Sequence, residues 1–422
     1  MIEVKPFRAT VYNQAKIRDL SKVVCPPYDV ISAEDQEFFH KIHPHNFIRL
    51  ILGRQTPYDN AEHNRYTRAK DELNSWLKEG ALKKIGYNSF LFYQQRYVYD
   101  GQPRERLGFM GLMKLATNKR SKIFPHENTQ LAAKEDRFQL MSSVKANLSP
   151  IFVLFHDEKK VVERIFQKHV LSKKPLIDIT DKDGMQHTVW CLDDQKLIAR
   201  IQRSLRSKQI FIADGHHRYE VGLSFREHMR KMHKKKITLP RPYEYIMTYF
   251  TDLDPKRLQI LPVHRVIRSE FKKERLNEFF TVRKEIDQKK MFQLLKREED
   301  KGFSFGLYYQ KRFSFLKLKD IPTVSKNTEG ISVSEWLDVG ILQNKIFPAL
   351  SIKVDDVLYV KDAQKCIAMV DGHDAKAVFF LNPVRSEQLS AIASLGEKMP
   401  PKSTYFYPKA LSGLAINKFE IA

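Results

Sequence analysis

Asp214-Gly215-His216-His217-Arg218 gathers a carboxylate, two imidazoles and a guanidinium around a single glycine. Three kinds of chemistry fit that spacing. In the first, backbone N–H groups, Arg218 and a histidine bind the phosphates of a nucleotide. Asp214 then orients a histidine, or holds a metal that bridges phosphate oxygens. In the second, Asp214, His216 and His217 ligate a transition metal directly, as in hydrolases. Adjacent histidines on a turn do not converge naturally on one ion, which sets this reading behind the first. In the third, Asp214 only caps a helix and the histidines are turn residues.

A second polar concentration lies in Phe124-Pro-His-Glu-Asn-Thr129. His126 and Glu127 could supply an acid/base pair there, and Lys134 or Arg137 a phosphate clamp. The plainer alternative is a helix N-terminus with charged pairs on a solvent face. Lys402, Ser403 and Thr404 place a cation and two hydroxyls on a proline-framed loop near the C-terminus. They could touch phosphate or substrate, although no Gly-rich Walker pattern precedes them. Aromatic packing of Tyr405, Phe406 and Tyr407 is the equal alternative. Tyr28, Asp29, His264 and Arg265 are weaker pocket candidates, for which structural roles are the favoured alternative. GxSxG, HExxH and GxGxxG are all absent, which argues against those enzyme plans.

The elements that must position these residues follow from local patterns. Residues 209–214 read as a buried strand. Val221, Phe225 and Met229 recur every fourth residue beyond the turn and make one apolar helix side, with Met232 three further on. Gly215 permits the sharp turn between them, and the first helical N–H groups point outward as donors suited to an anion. Short strands are expected at 2–7 and 23–24, an extended loop at Cys25-Pro-Pro-Tyr-Asp-Val-Ile31, and a helix from Ser32 with Asp35 as capping partner. Residues 43–52 read as a loop entering a strand. Residues 64–79 read as a helix stopped by Gly80, with Leu73, Trp76 and Leu77 on its apolar side.

Strands at 90–98 and 107–115 flank Asp100-Gly101, a hairpin with a slightly long turn. Pro150-Ile-Phe-Val-Leu-Phe155 is a strand covered on both faces, and another strand lies near 188–191. Residues 245–250 and 258–263 look like paired strands. Residues 271–301 are helix-rich, and 303–309 with 313–318 form a hairpin. Strands at 357–360, 368–370 and 377–381 and a helix at 387–394 complete the pattern. Strands and helices without regular βαβ alternation predict an α+β, mixed-sheet, two-lobed protein. The boundary falls at Pro240-Arg-Pro242. Residues 1–240 carry the FPHENT and ADGHHR motifs, and residues 241–422 end in the MPPKSTYFYPK loop.

A chain of 422 residues, 42% hydrophobic and 29% charged, reads as an ordinary globular protein with two or three cores. No apolar run approaches a membrane span, and the N-terminus has no signal-peptide pattern. Cys25, Cys191 and Cys366 are few and scattered, which fits a reducing cytoplasm. The formal net charge of +23 has two readings: attraction to polyanions such as nucleic acid, nucleotides or phosphorylated metabolites, or, the favoured one, a solvated basic surface. Its lysines and arginines are dispersed along the whole chain. The densest cluster, 226–236, falls where cations complement the end of the helix after the turn.

The segments CPPYDVI, HPHNFIRL, FPHENT with KEDR, NLSPIF, IADGHHRYE, ILPVHR, FLNP and GEKMPPKSTYFYPK occur in this order from about residue 3 to residue 418. In this the chain resembles a widespread prokaryotic family designated domain of unknown function 1015. The strand–DGHHR–helix is also similar to the phosphate-binding turn of the ParB/sulfiredoxin-like fold, whose members include nucleotide-binding partition proteins and a free-serine kinase. That resemblance implies phosphate contacts for Gly215, His216, His217 and Arg218, and an upstream carboxylate as base. Glu127 and Asp29 are the candidates.

The expectation is therefore a nucleotide-dependent phosphotransferase acting on a small hydroxyl-bearing metabolite. ATP or ADP would be the nucleotide, with Mg²⁺ possible. Asp214, His216, His217, His126 and Glu127 would do chemistry. Gly215, His216, His217, Arg218, Lys402, Ser403 and Thr404 would hold the cofactor. A non-enzymatic nucleotide-responsive or nucleic-acid-binding protein is the alternative, and a metal-dependent hydrolase the third.

Overall fold

A computed structural model describes residues 1–116, 121–127, 129–232, 241–254, 257–299, 301–319, 337–400 and 402–420. Asn128, Pro240, Pro401 and residues 233–236 of the cationic cluster lie outside them. The fold is α+β. The chain divides into two compact units: Met1–Phe124, Thr129–Leu258 and Pro408–Ala422 form the first, and Pro125–Asn128 with Gln259–Tyr407 the second.

The first unit is built from β1 (Val4–Lys5), α1 (Ala33–Ile42), α2 (Arg65–Lys78), β2 (Phe90–Tyr99), β3 (Gln102–Lys114), α3 (Leu131–Val144) and β4 (Ile151–Phe155). It continues with α4 (Val161–His169), β5 (Ile177–Thr180), β6 (Gln186–Leu192), α5 (Gln195–Leu205), β7 (Ile210–Asp214), α6 (His216–Met232) and β8 (Tyr245–Asp252). Its large mixed sheet runs β7–β4–β8–β3–β2–β6–β5, with β1 on β3. The β4–β8 pair is parallel and the other described pairs are antiparallel.

Local chemistry sets several of these boundaries. The Ser32 hydroxyl accepts from the Asp35 N–H at 3.1 Å and opens α1. Asn64 and Thr67 form a reciprocal capping box at α2. Asp100 and Gly101 have φ of 51° and 69°, and Tyr99 pairs directly with Gln102. The hairpin turn thus has two residues, shorter than the sequence pattern implied, because positive φ at both positions matches the strand twist.

Gly108 lets β3 and β8 approach: a Cβ there would sit 2.2 Å from the Phe250 carbonyl oxygen. Phe92, Phe109, Phe166, Trp190, Ile198 and Phe250 form the core beneath α4 and α5, with the Phe109 and Phe250 rings stacked at 4.9 Å. Val221, Phe225 and Met229 of α6 pack with Met141 of α3, Tyr243 and Phe419.

The second unit holds β9 (Gln259–Leu261), β10 (His264–Ile267), β11 (Phe280–Ile286), α7 (Gln288–Arg297), β12 (Ser304–Tyr309), β13 (Arg312–Leu318), β14 (Val357–Val360), α8 (Ala363–Asp371), β15 (Ala377–Phe380), α9 (Ser386–Ser394) and β16 (Tyr405–Tyr407). Its antiparallel sheet runs β11–β13–β12–β15–β10–β14, while β9 pairs with β16. Met291, Leu294, Val378, Phe380 and Cys366 form its core between the sheet and α7 and α8.

Four expectations are corrected. Residues 48–51 form a helical turn rather than a strand, because the Asn46 side chain accepts the Ile48 N–H and starts a coil. Residues 23–24 are not a strand; Cys25 makes only an isolated bridge to Ser412. The segment 368–370 belongs to α8, whose N-terminus Asp362 caps by accepting from the N–H groups of Gln364 and Lys365. Finally, β8 and β9 do not pair with each other: β8 lies between β4 and β3, and β9 finds β16.

Candidate functional site

The register of β7 against β4 shifts between Ile212 and Asp214, a bulge that re-aims the strand's last side chain. Gly215 follows with φ of 88°, and α6 begins at once, with Tyr219 N–H donating to the Gly215 carbonyl at 2.9 Å. A Cβ on Gly215 would lie 3.0 Å from Arg218 Cζ, so glycine is required by its backbone angle and by the guanidinium packed over it.

Asp214 is the hub. One oxygen accepts from Arg218 Nη2 at 2.5 Å, and the other is paired with Lys409 Nζ. All three side chains are largely buried: 11% exposed for Asp214, 12% for Lys409 and 13% for Arg218. Burial alone would raise the Asp214 carboxyl. The charges of Lys409 and Arg218 override it and hold the group well below the usual carboxylate range. Arg218 also donates through Nη1 to the Pro150 carbonyl, which ties the turn to the start of β4.

Lys409 is itself positioned. Gln95 Nε2 donates to its carbonyl at 3.0 Å, and the fully buried Arg106 donates to the Pro408 carbonyl and, through Nε, to Gln95 Oε1 at 3.1 Å. The Arg106 guanidinium lies 4.6 Å over the Phe152 ring. This network was not legible in the sequence. Lys409 closes a motif read for its hydroxyls, and only the return of residues 408–420 to the first unit brings it to Asp214.

The first turn of α6 is also held from the start of α3. Gln130 N–H donates to His217 Nε2 at 3.0 Å, which places that ring's proton on Nδ1. Thr129 Oγ1 donates to Glu220 Oε2 at 2.6 Å, and Lys134 pairs with the same oxygen at 3.2 Å. His216 is buried. Arg137 donates through Nη1 to the Ile51 carbonyl at 2.6 Å, pairs with Asp136, and covers the Tyr28 ring at 4.1 Å. Burial pushes the Tyr28 phenol up to about 12, with the Asp29 charge adding to it. Tyr28, Arg137, Asn147, Ser149 and Arg218 supply the polar lining of a cavity of about 50 Å³, closed by Leu140, Met141, Val144 and Val221.

His126, Glu127, Ser403 and Thr404 lie together in the second unit. Glu127 bridges Met399, whose N–H donates to the His126 carbonyl at 2.7 Å. Thr404 Oγ1 lies 3.3 Å from His126 Nε2 and donates to Glu127 Oε1 at 3.3 Å. Ser403 is turned inward, its hydroxyl donating to the Pro400 carbonyl at 2.6 Å, while Lys402 is exposed with φ of 58°. Buried His264 and Arg265 stand on β10. Among the described residues no three His, Cys, Asp or Glu side chains gather as a metal site, and no helix is long and apolar enough to cross a membrane.

Solved structures similar to this chain include a conserved hypothetical protein from Pyrococcus furiosus, 14% identical, covering 70% of this chain and 92% of that one at a TM-score of 0.35. A free serine kinase in complex with AMP is 13% identical, covering 68% and 83% at 0.34. SbnI with a C-terminal truncation, from Staphylococcus aureus, is 10% identical, covering 72% and 85% at 0.37. No curated protein matches. The family model described as protein of unknown function (DUF1015) matches residues 4–340, and the chain belongs to that family.

Proposed function

We propose that the chain is a nucleotide-binding phosphotransferase, with the phosphates of ATP or ADP at the Asp214–Arg218 turn and a small hydroxyl-bearing metabolite as acceptor. The observation that carries this reading is the buried Asp214 held between Lys409 and Arg218, where a positive-φ glycine turns a strand into the N-terminus of α6. Two fixed cations against one carboxylate leave a positive excess, and the helix dipole adds to it. Such a site binds and orients a phosphate without moving its own groups.

Within this reading the acceptor oxygen attacks the terminal phosphorus, the bond to the bridging oxygen breaks, and the shortened nucleotide leaves. The acceptor's proton passes to a carboxylate. Asp29, exposed beside Tyr28 in the same unit as the turn, is the candidate. His217, which accepts the Gln130 N–H through Nε2, and His216 orient the phosphates. Both Asp214 oxygens are engaged by cations, so a Mg²⁺ ion would come with the phosphates rather than sit on this carboxylate.

The test is a thermal-shift panel of ATP, ADP, CTP, GTP and inorganic phosphate, with and without Mg²⁺, followed by turnover with hydroxyl acceptors. Stabilisation by one nucleotide that is lost in His217→Ala and Arg218→Lys supports the reading. Turnover then abolished by Asp29→Asn identifies that carboxylate as the base. Binding without turnover favours a nucleotide-responsive protein, and no shift with any nucleotide rejects the proposal.

A further inference from the structure

Arg265 stands on β10, opposite Tyr359 of β14 and Phe379 of β15. Its neighbour Val266 points into the core below α7 and α8, so the alternation of the strand sends Arg265 to the other face. The residue is fully buried. Nη1 donates to the Val263 carbonyl at 2.7 Å, and the guanidinium lies 4.7 Å over the Tyr359 ring. Among the described residues, Nε and Nη2 are buried without a hydrogen-bond partner.

Those two nitrogens share one edge of the guanidinium. Together they form the side-on fork that pairs with two oxygens of a carboxylate or phosphate. Buried polar groups are ordinarily satisfied, and an uncompensated buried charge is among the costlier features a fold can carry. Burial holds the Arg265 guanidinium down at about 10, while Tyr359 and the Glu127 carboxylate act in the opposite direction. Even at that value it is a cation at neutral pH. A two-donor edge on a buried cation, unpaired among the described residues, is the complement of an oxyanion.

We propose that Arg265 is the receptor of a second anion site, one that takes a small-molecule oxyanion presenting two oxygens to Nε and Nη2. Carboxylate and phosphate share that chemistry. Glu127, whose charge reaches Arg265, competes with the incoming anion, so the site favours small ligands that also offer this carboxylate a hydrogen-bond donor. The assignment uses no residue of the Asp214–Arg218 turn.

The experiment is thermal melting of the full chain at constant ionic strength, with acetate, malonate or inorganic phosphate replacing chloride. The variants are Arg265→Met, Arg265→Lys and, as a control, His217→Ala. At least one anion should raise the melting temperature of the wild type and of His217→Ala, and not of Arg265→Met. Lysine keeps the charge and the stem but loses the paired edge, so Arg265→Lys should fold and bind at least roughly tenfold more weakly. A response to acetate and malonate identifies a carboxylate site; a response to phosphate alone identifies a phosphate site. No response to any of the three in the wild type overturns the proposal. So does a response undiminished in Arg265→Lys.

Discussion

Lys409→Met removes one of the two cations that neutralise Asp214. Both partners are nearly nine-tenths buried, so the pair is poorly screened and its loss leaves a carboxylate that water cannot fully reach. Breaking a buried pair costs about 3–5 kcal/mol. With Arg218 still bound to the other oxygen, the lower end, about 3 kcal/mol, is expected. That corresponds to a fall of roughly 6–12 °C in Tm for a unit of this size.

The pH dependence has a fixed sign. The Asp214 carboxyl is depressed in the folded protein. Its stabilisation is therefore present above the unfolded value of about 3.9 and is lost as pH falls through the folded value. The gap between wild type and variant should hold from pH 8 to about pH 5 and narrow only below about pH 4. Asp214→Asn/Lys409→Met should be less damaged than the sum of the single variants by at least about 1 kcal/mol, since it leaves no buried carboxylate short of a partner. Urea denaturation followed by circular dichroism measures all four proteins. Additivity within about 0.5 kcal/mol would refute the account of Asp214 as a shared hub.

Burial, with Arg265 adding to it, lowers the imidazole of His264 to about 4. The unfolded chain therefore takes up that proton first, so stability should be full above about pH 6.5 and fall by about 2 kcal/mol by pH 5. Denaturant midpoints at the two pH values check this, and His264→Gln should flatten the difference. Gly108→Ala forces a Cβ to 2.2 Å from the Phe250 backbone oxygen across the β3–β8 pair. Neither strand can give way inside the sheet, so a loss of at least about 3 kcal/mol is expected, read as a lowered melting temperature. A variant that melts with the wild type would contradict the register.

The sequence made legible what neighbours along the chain decide. Ser32 and Asn64 start helices through their own side chains, Asp100-Gly101 turns a hairpin, and Gly215 turns a strand into α6. Each signal lies within a few residues of its effect. Some errors were local caps that the pattern hid, at Asn46 and Asp362, and others fell where distant partners decide. Residues 368–370 are apolar enough for a strand, yet Asp362 and the second unit's core make them helical. The segment 258–263 carries a strand pattern, but nothing local says that β9 pairs with β16 from the far end of the chain.

The candidate site divides in the same way. Asp214, Gly215, His216, His217 and Arg218 announce themselves by clustering. Lys409 and its supports Gln95 and Arg106 reach Asp214 only through the sheet and the returning C-terminus. The unpaired edge of Arg265 shows only once its neighbours among the described residues are known.

Everything proposed for the Asp214–Arg218 turn depends on its holding nucleotide phosphates. Isothermal titration of ADP, AMP and adenosine into wild type, Arg218→Lys and His217→Ala tests it most directly. Affinity should fall from ADP to AMP, be absent for adenosine, weaken as salt rises, and drop at least roughly tenfold in both variants as charge-assisted or dipolar contacts are lost. Equal binding of adenosine and ADP, or ADP binding untouched by either substitution, would contradict it.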